Sequence, residues 1–356
     1  MTSATVGGGL RERRNTVDMT GVAVLTACAV WALLTAAARG GRPEGVLLAV
    51  LALAAGYAGG RVCGAVLPVG TCALAALAGL GLAVAACERG LPGNGTGSPL
   101  GHTGAAAALL ILSAGAACCG AWASARPAVR LGLRLLAVGI AAVAAVLGST
   151  AALAGCTAVI LCSLAAALMR RRGVGLAGLA LTAALVVAAS WAVAKKVLPE
   201  GLAVSLEGQL TRHRIVLWQD ALALAEHDPV LGVGPGRYGE FSNTAQQALH
   251  PDGRPHSAPL QQAAEQGLFG VLLLGAVFCW LLYALWRSPH STPVALTAGA
   301  ALTALAAVAV VGNALSFAPV TAGTGLLAGL ATAHPWAEDL SPELPDTTDG
   351  PLGTRP

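Results

Sequence analysis

The stretch RRRGVGLAGLALTAALVVAASWAVAKK, residues 170–196, decides the fold class. Three arginines open it, two lysines close it, and from Val174 to Ala194 no residue is charged. A helix of about 20 apolar residues is long enough to cross the hydrocarbon core of a bilayer. Ten segments of this kind can be read along the chain: Val17–Ala38, Gly45–Gly60, Val62–Cys87, Gly104–Ala125, Leu131–Thr150, Ala151–Met169, Val174–Ala194, Gly267–Trp286, Pro293–Ala314 and Phe317–Ala333. Composition agrees. Of 356 residues 56% are hydrophobic and 11% charged, where a soluble domain carries about 25% charged residues. The expectation is an all-α polytopic membrane protein of about ten transmembrane helices. The net charge of +4 is small and the basic residues gather on no single face, so nucleic acid is not an expected partner.

Charge placement orients the spans. With residues 1–16 in the cytoplasm, the inside segments hold Arg11, Arg13, Arg14, Arg61, Arg126, Arg130, Arg134, Arg170, Arg171, Arg172 and Arg287. Short outside loops hold only Arg39, Arg42 and Arg89, as the positive-inside rule requires. Seven spans over 17–194 then place residues 195–266 outside as one large extracytoplasmic loop. Three more spans over 267–333 return the C-terminus to the cytoplasm. The first segment is longer than a secretory signal and reads as a retained helix. The tail, 334–356, is rich in Pro, Asp, Glu and Thr and reads as disordered. All nine cysteines lie in or beside apolar runs without a CxxC, so they read as small apolar side chains.

The loop carries the chemistry, with four of the seven histidines. TRHRIVLWQDALALAEHDP, residues 211–229, reads as a helix that Thr211 can cap and that Asp228-Pro229 ends. Ile215, Trp218, Leu222 and Ala225 make its apolar stripe, with Arg214 one turn before Trp218. VLGVGPGRYGEF, residues 230–241, reads first as a tight turn. The other reading is a turn that offers backbone N–H groups and Arg237 to an anion. HPDGRPHSAPLQQAAEQGLFG, residues 250–270, starts irregular at Pro251, Gly253 and Pro255. Ser257 can then cap a helix, with Pro259 in its first turn, that enters the membrane near Gly267. This puts His256 at the water–lipid boundary and Glu265 about two turns below it. His213, His227 and His250 show no metal-ligand spacing.

Arg214-x-x-x-Trp218, then His227-Asp228-Pro229-Val230-Leu231-Gly232-Val233-Gly234-Pro235-Gly236, then His256-Ser257-x-x-Leu260-Gln261-x-x-x-Glu265-x-Gly267-x-x-Gly270 resembles the O-antigen ligase and O-antigen polymerase family. The resemblance spans roughly residues 205–290, with all three blocks in order. It implies a bacterial cytoplasmic-membrane enzyme, similar to C-type glycosyltransferases. Such an enzyme moves a glycan from a polyprenyl-diphosphate carrier to a glycan, lipid or wall-polymer acceptor, with no metal and no cofactor. His256 matches the family's loop histidine, its proposed base, and Arg214 the arginine thought to engage the diphosphate. The chain departs from the family in having ten spans where about twelve are common. The family's arginine from earlier in the chain has three candidates here, Arg39, Arg42 and Arg89.

The residue types suit this chemistry. An acceptor hydroxyl must lose a proton as it attacks, and histidine exchanges protons near neutral pH. The departing diphosphate gains negative charge, which a guanidinium fork stabilises. The catalytic candidate is therefore His256 and the first diphosphate ligand Arg214, with Arg212, Arg237 and Arg254 as further candidates. Trp218 and Glu265 are possible supports. Ligase and polymerase stay open alternatives. A transporter or flippase is the rival from another class, but its ionisable groups would sit inside the spans. A non-catalytic scaffold of the same fold is a further rival.

Overall fold

The computed structural model describes residues 3–88, 99–195, 212–247 and 254–334. The candidates Arg89, Thr211 and His250 and the tail beyond residue 334 lie outside the described residues. Within them the chain is helical, with no strand. The helices are α1 (Ser3–Arg39), α2 (Glu44–Val66), α3 (Pro68–Glu88), α4 (Pro99–Ala123), α5 (Pro127–Val146), α6 (Thr150–Ala166) and α7 (Arg172–Ala194). There follow α8 (Arg212–His227), the one-turn α9 (Tyr238–Phe241) and α10 (Asn243–Gln246), then α11 (Ala258–Trp286), α12 (Thr292–Val311) and α13 (Ala318–Leu330). Eight of these are long and apolar enough to cross a membrane. Thr150–Ala166 and Ala318–Leu330 are shorter apolar helices. The protein is a multi-pass membrane protein.

All ten expected segments are helices, and one boundary moves for an identifiable reason. The second segment was expected to stop before Arg61, yet α2 continues to Val66. Arg61 is tolerated because its guanidinium pairs with Asp18 and lies over the Tyr57 ring. The real break is Pro68: the residue before a proline is driven from the helical region, and Leu67 sits at φ −139°, ψ 70°. The eighth segment was expected to continue, from Gly267, a helix that starts after Ser257; the helix does begin at Ala258, but Gly267 breaks it with φ 68°, ψ −165°. The expected turn at Gly148-Ser149-Thr150 is present, with Ser149 Oγ accepting from the Ala152 amide at 3.3 Å.

A helix apolar on every side belongs in the interior, and α4 is that helix. Every residue from Ala105 to Ala121 is buried. It packs with α3, α5 and α6, which keep an outer apolar face, and with α12, which is itself largely buried. The closest crossing is α2 on α13, where small residues let backbones touch. A Cβ on Gly329 would lie 2.9 Å from the Arg61 amide, and one on Gly60 3.0 Å from the Leu330 amide.

Contacts between segment ends sort them into two groups. At one end Arg61 meets Asp18, Arg172 donates to the carbonyls of Ser288 and His290, and Ser288 donates to the Ala331 carbonyl at 2.6 Å. At the other end the tip between α1 and α2 meets residues 228–237, and α8 meets the end of α12. The first group lies at the segment ends expected inside, and the second at the segment ends and loop expected outside.

Candidate functional site

The described residues between α7 and the apolar part of α11 pack around a small core of their own. Leu217, Trp218, Ala221 and Leu222 of α8 pack against Tyr238, Ala245, Leu260, Ala264 and Ala194. The buried face is rotated from the expected stripe: Ile215 and Ala225 are only half-buried, while Leu217 and Ala221 take the interior. Trp218 is 1% exposed, which makes it a packing residue. Asp220 ties the far side down, accepting from Ser242 Oγ at 2.7 Å and from the Thr244 amide at 3.1 Å. Tyr238 Oη donates to the Leu217 carbonyl at 2.8 Å.

The glycine-rich turn explains the break in α11. A helix that stops at Gln266 leaves its last carbonyls without intrahelical partners. The turn supplies them: the Val233 amide donates to Ala264 O and the Gly234 amide to Glu265 O, both at 2.9 Å. The Leu268 amide, freed by the break, donates to Pro229 O at 2.8 Å. Trp31 of α1 donates its indole N–H to Gln266 O at 3.1 Å and sets its ring 5.0 Å from Phe269. Both Gly232 and Gly267 have positive φ where the backbones cross, and a side chain on either would strike the opposing main chain. The tight-turn reading therefore holds: these amides face the protein.

The same turn is clamped from its other side. Arg39 pairs with Asp228, whose Oδ1 also accepts from the Leu231 amide at 3.3 Å. Arg237 donates to the Arg39 carbonyl, pairs with Glu240 at 2.8 Å and covers the Phe241 ring at 4.8 Å. The Arg42 amide donates to Pro235 O at 2.7 Å, while its side chain is exposed at the rim. Sequence reasoning missed Arg39–Asp228 and Trp31, whose partners lie far along the chain. Asp228 carried a local signal only as the residue before Pro229.

The remaining candidates spread over this body. Arg214 is half-buried and donates from Nη1 to the Val311 carbonyl at 2.9 Å, where the last carbonyls of α12 attract a cation. Burial pushes its pKa down from the usual arginine value, and it remains a cation at any working pH. Arg212 opens α8, and its side chain lies outside the described residues. Glu265 is 3% exposed. Its carboxylate accepts from Gln261 Nε2 at 3.2 Å and from the backbone amides of Gly236 and Tyr238, with the charge of Arg254 nearby. His256 is 8% exposed and has φ 52°, which makes it the one non-glycine residue of positive φ among the described residues. Ser257 holds the N-cap position expected of it, and its carbonyl accepts from the Gln261 amide at 2.8 Å. Its hydroxyl does not cap; it is buried, with no hydrogen-bond partner among the described residues.

No curated protein matches the chain. The O-Antigen ligase family model matches residues 135–275, from α5 to the middle of α11. The match reaches further back than the three motif blocks, into helices whose sequence signal is only apolar length. All three blocks lie inside it, and over these residues the chain is similar to the O-antigen ligase family, which supports an assignment to the membrane glycan ligases and polymerases of the cell envelope.

Proposed function

We propose that the protein transfers a glycan from a polyprenyl-diphosphate carrier to an acceptor hydroxyl on the extracytoplasmic face of a bacterial cytoplasmic membrane. His256 takes the proton from the acceptor as its oxygen attacks the anomeric carbon. The bond from that carbon to the diphosphate breaks in the same step, which inverts the centre. Arg214 holds the diphosphate. Only one of its donors is used by Val311, and a guanidinium has five. Diphosphate is already a good leaving group, so the step as written asks for charge neutralisation and a base and for no metal.

One observation carries the reading. The left-handed His256 belongs to the same folded body as Arg39, Arg237 and Arg214, which tie the α1–α2 tip, the glycine-rich turn and the end of α12 to it. Strained backbone of this kind collects at functional sites, where the surrounding structure holds it. Of the early arginines, Arg39 is paired with Asp228. Exposed Arg42 is therefore the better second ligand for the diphosphate. Arg237 has three protein partners, so it ranks below Arg214, and Arg212 and Arg254 stand beside it.

The test uses purified protein in liposomes with radiolabelled polyprenyl-diphosphate glycan and candidate acceptors. Transfer of label to an acceptor supports the proposal. Movement of the carrier across the bilayer without transfer supports a flippase, and neither outcome leaves a scaffold.

A further inference from the structure

The end of the bundle away from the candidate site holds a second concentration of arginine. Arg214 meets the last carbonyls of α12, whereas Cys119 of α4 meets the start of that helix, with Sγ 3.6 Å from the Val294 carbonyl oxygen. The helix between Val294 and Val311 is about 25 Å long. Beside Cys119 the chain leaves α4 at Ala123 and starts α5 at Pro127, and Arg126, Arg130 and Arg134 follow one another a turn apart along one face. No acidic group answers them. Between Glu88 and Glu200 the sequence has no aspartate or glutamate. None of the three arginines has an ion pair among the described residues.

Their contacts are neutral. Arg130 Nη2 donates to the Ser124 carbonyl at 2.8 Å. Arg134 lies over the Trp122 ring, with its guanidinium carbon 5.4 Å from the centroid. Trp122 is held in turn by its indole N–H, which donates to Ser163 Oγ of α6 at 2.9 Å. Stacking occupies the face of a guanidinium and leaves its N–H edge free. The Arg134 edge donates to no group among the described residues. Nor does Arg134 stand where a charge simply faces water. It is about 10 Å along α5 from Pro127, among exposed Leu131, Leu135 and Val138, on a helix long and apolar enough to span. That face meets lipid, where a lone charge is costly unless an anion or a headgroup meets it.

We propose that this corner of α4, α5 and α6 binds the phosphate of an anionic phospholipid. The Arg134 edge and the remaining donors of Arg130 hold the phosphate, Trp122 sets the depth at which it sits, and Leu131, Leu135 and Val138 run along the acyl chains. Basic pockets between transmembrane helices take acidic headgroups in this way. The other source of negative charge is the sequence after Ala333, with Glu338, Asp339, Glu343, Asp346 and Asp349. A charged peptide does not enter the lipid-facing apolar row from which Arg134 projects. The lipid site stands apart from His256 and Arg214 and does not depend on the role of either.

The test is native mass spectrometry on the full-length protein in detergent, titrated with dioleoyl phosphatidylglycerol or dioleoyl phosphatidylcholine. Wild type should bind the first about tenfold more tightly. Arg134→Leu places an apolar side chain on a lipid-facing position and should keep its monodisperse peak in size-exclusion chromatography. It should bind phosphatidylglycerol about tenfold more weakly, with phosphatidylcholine changed by less than about twofold. Arg130→Gln should show the same split, and it carries the test should Arg134→Leu not fold. Arg287→Gln is the control: Arg287 is exposed at the same end but stacks on Tyr283 and Trp286 of its own segment, and its loss should change neither affinity by more than about twofold. Equal affinity of wild type for the two lipids overturns the proposal. Wild-type phosphatidylglycerol binding in a folded Arg134→Leu also overturns it, because the headgroup is then held elsewhere. An equal loss in Arg287→Gln does so too, because the attraction then belongs to the general charge of that end. The last arm is a full-length variant with the five acids after Ala333 changed to amides. Phosphatidylglycerol binding more than about tenfold tighter than wild type there makes the acidic tail the occupant, and the proposal falls.

Discussion

Replacing Gly267 by alanine should undock the glycine-rich turn while leaving the helix bundle intact. The backbone at φ 68°, ψ −165° is in a region almost confined to glycine, so an alanine there costs about 1–3 kcal/mol in backbone strain alone. Its Cβ would also stand 2.6 Å from the Val230 carbonyl carbon and 2.7 Å from Pro229 O, both main-chain atoms that cannot swing aside. The turn must lift, which breaks the Leu268 to Pro229 bond and the two bonds from Val233 and Gly234 to the helix end. At about 1 kcal/mol net for each hydrogen bond, the local total is about 4–6 kcal/mol. That is enough to open one unit of a protein without unfolding the rest. Misplacing a catalytic group by about 1 Å can cost on the order of a hundredfold in rate, which is the loss of turnover expected. Gly275→Ala is the control, since nothing lies within 4 Å of its Cβ and it sits in regular helix. The assay is glycan transfer beside hydrogen exchange at the amides of residues 230–237. Wild-type turnover with unchanged exchange in Gly267→Ala would refute this reasoning.

A bulky residue at the α2–α13 crossing should prevent folding. Gly329→Leu puts a side chain into the Arg61 amide and the Gly60 backbone, whereas nothing lies within 4 Å of a Cβ on Gly59. Gly329→Leu should abolish the monodisperse peak in size-exclusion chromatography and Gly59→Leu should keep it; equal behaviour would contradict the packing. Sidedness is tested by cysteine labelling. Val230→Cys, 51% exposed, should react with a membrane-impermeant maleimide in intact cells, and Arg170→Cys only after permeabilisation. The reverse pattern would invert the topology.

Local signals in the sequence carried the bundle: apolar length and the proline after Asp228. They misjudged α2 because a lone arginine looks like a helix end until Asp18 is seen beside it. Serine at the start of α11 matches a capping pattern, yet its hydroxyl does not cap. The apolar stripe of α8 was rotated because several positions fit a helical period and only the partners, Leu260 and Ala264, choose the buried face. His256 is a candidate through its motif. The clamp on the glycine-rich turn was not legible: Arg237 and Arg39 are 198 positions apart, and Trp31 and Gln266 are 235 apart. No short-range pattern encodes such pairs.

The central claim is that His256 takes the acceptor's proton in a transfer from a diphosphate-linked donor. Steady-state transfer by His256→Ala against wild type, in liposomes with radiolabelled polyprenyl-diphosphate glycan, tests it most directly. Loss of a general base predicts a kcat lower by about 10²–10⁴-fold, with the donor KM within about threefold of wild type. Wild-type turnover by a folded His256→Ala would contradict it.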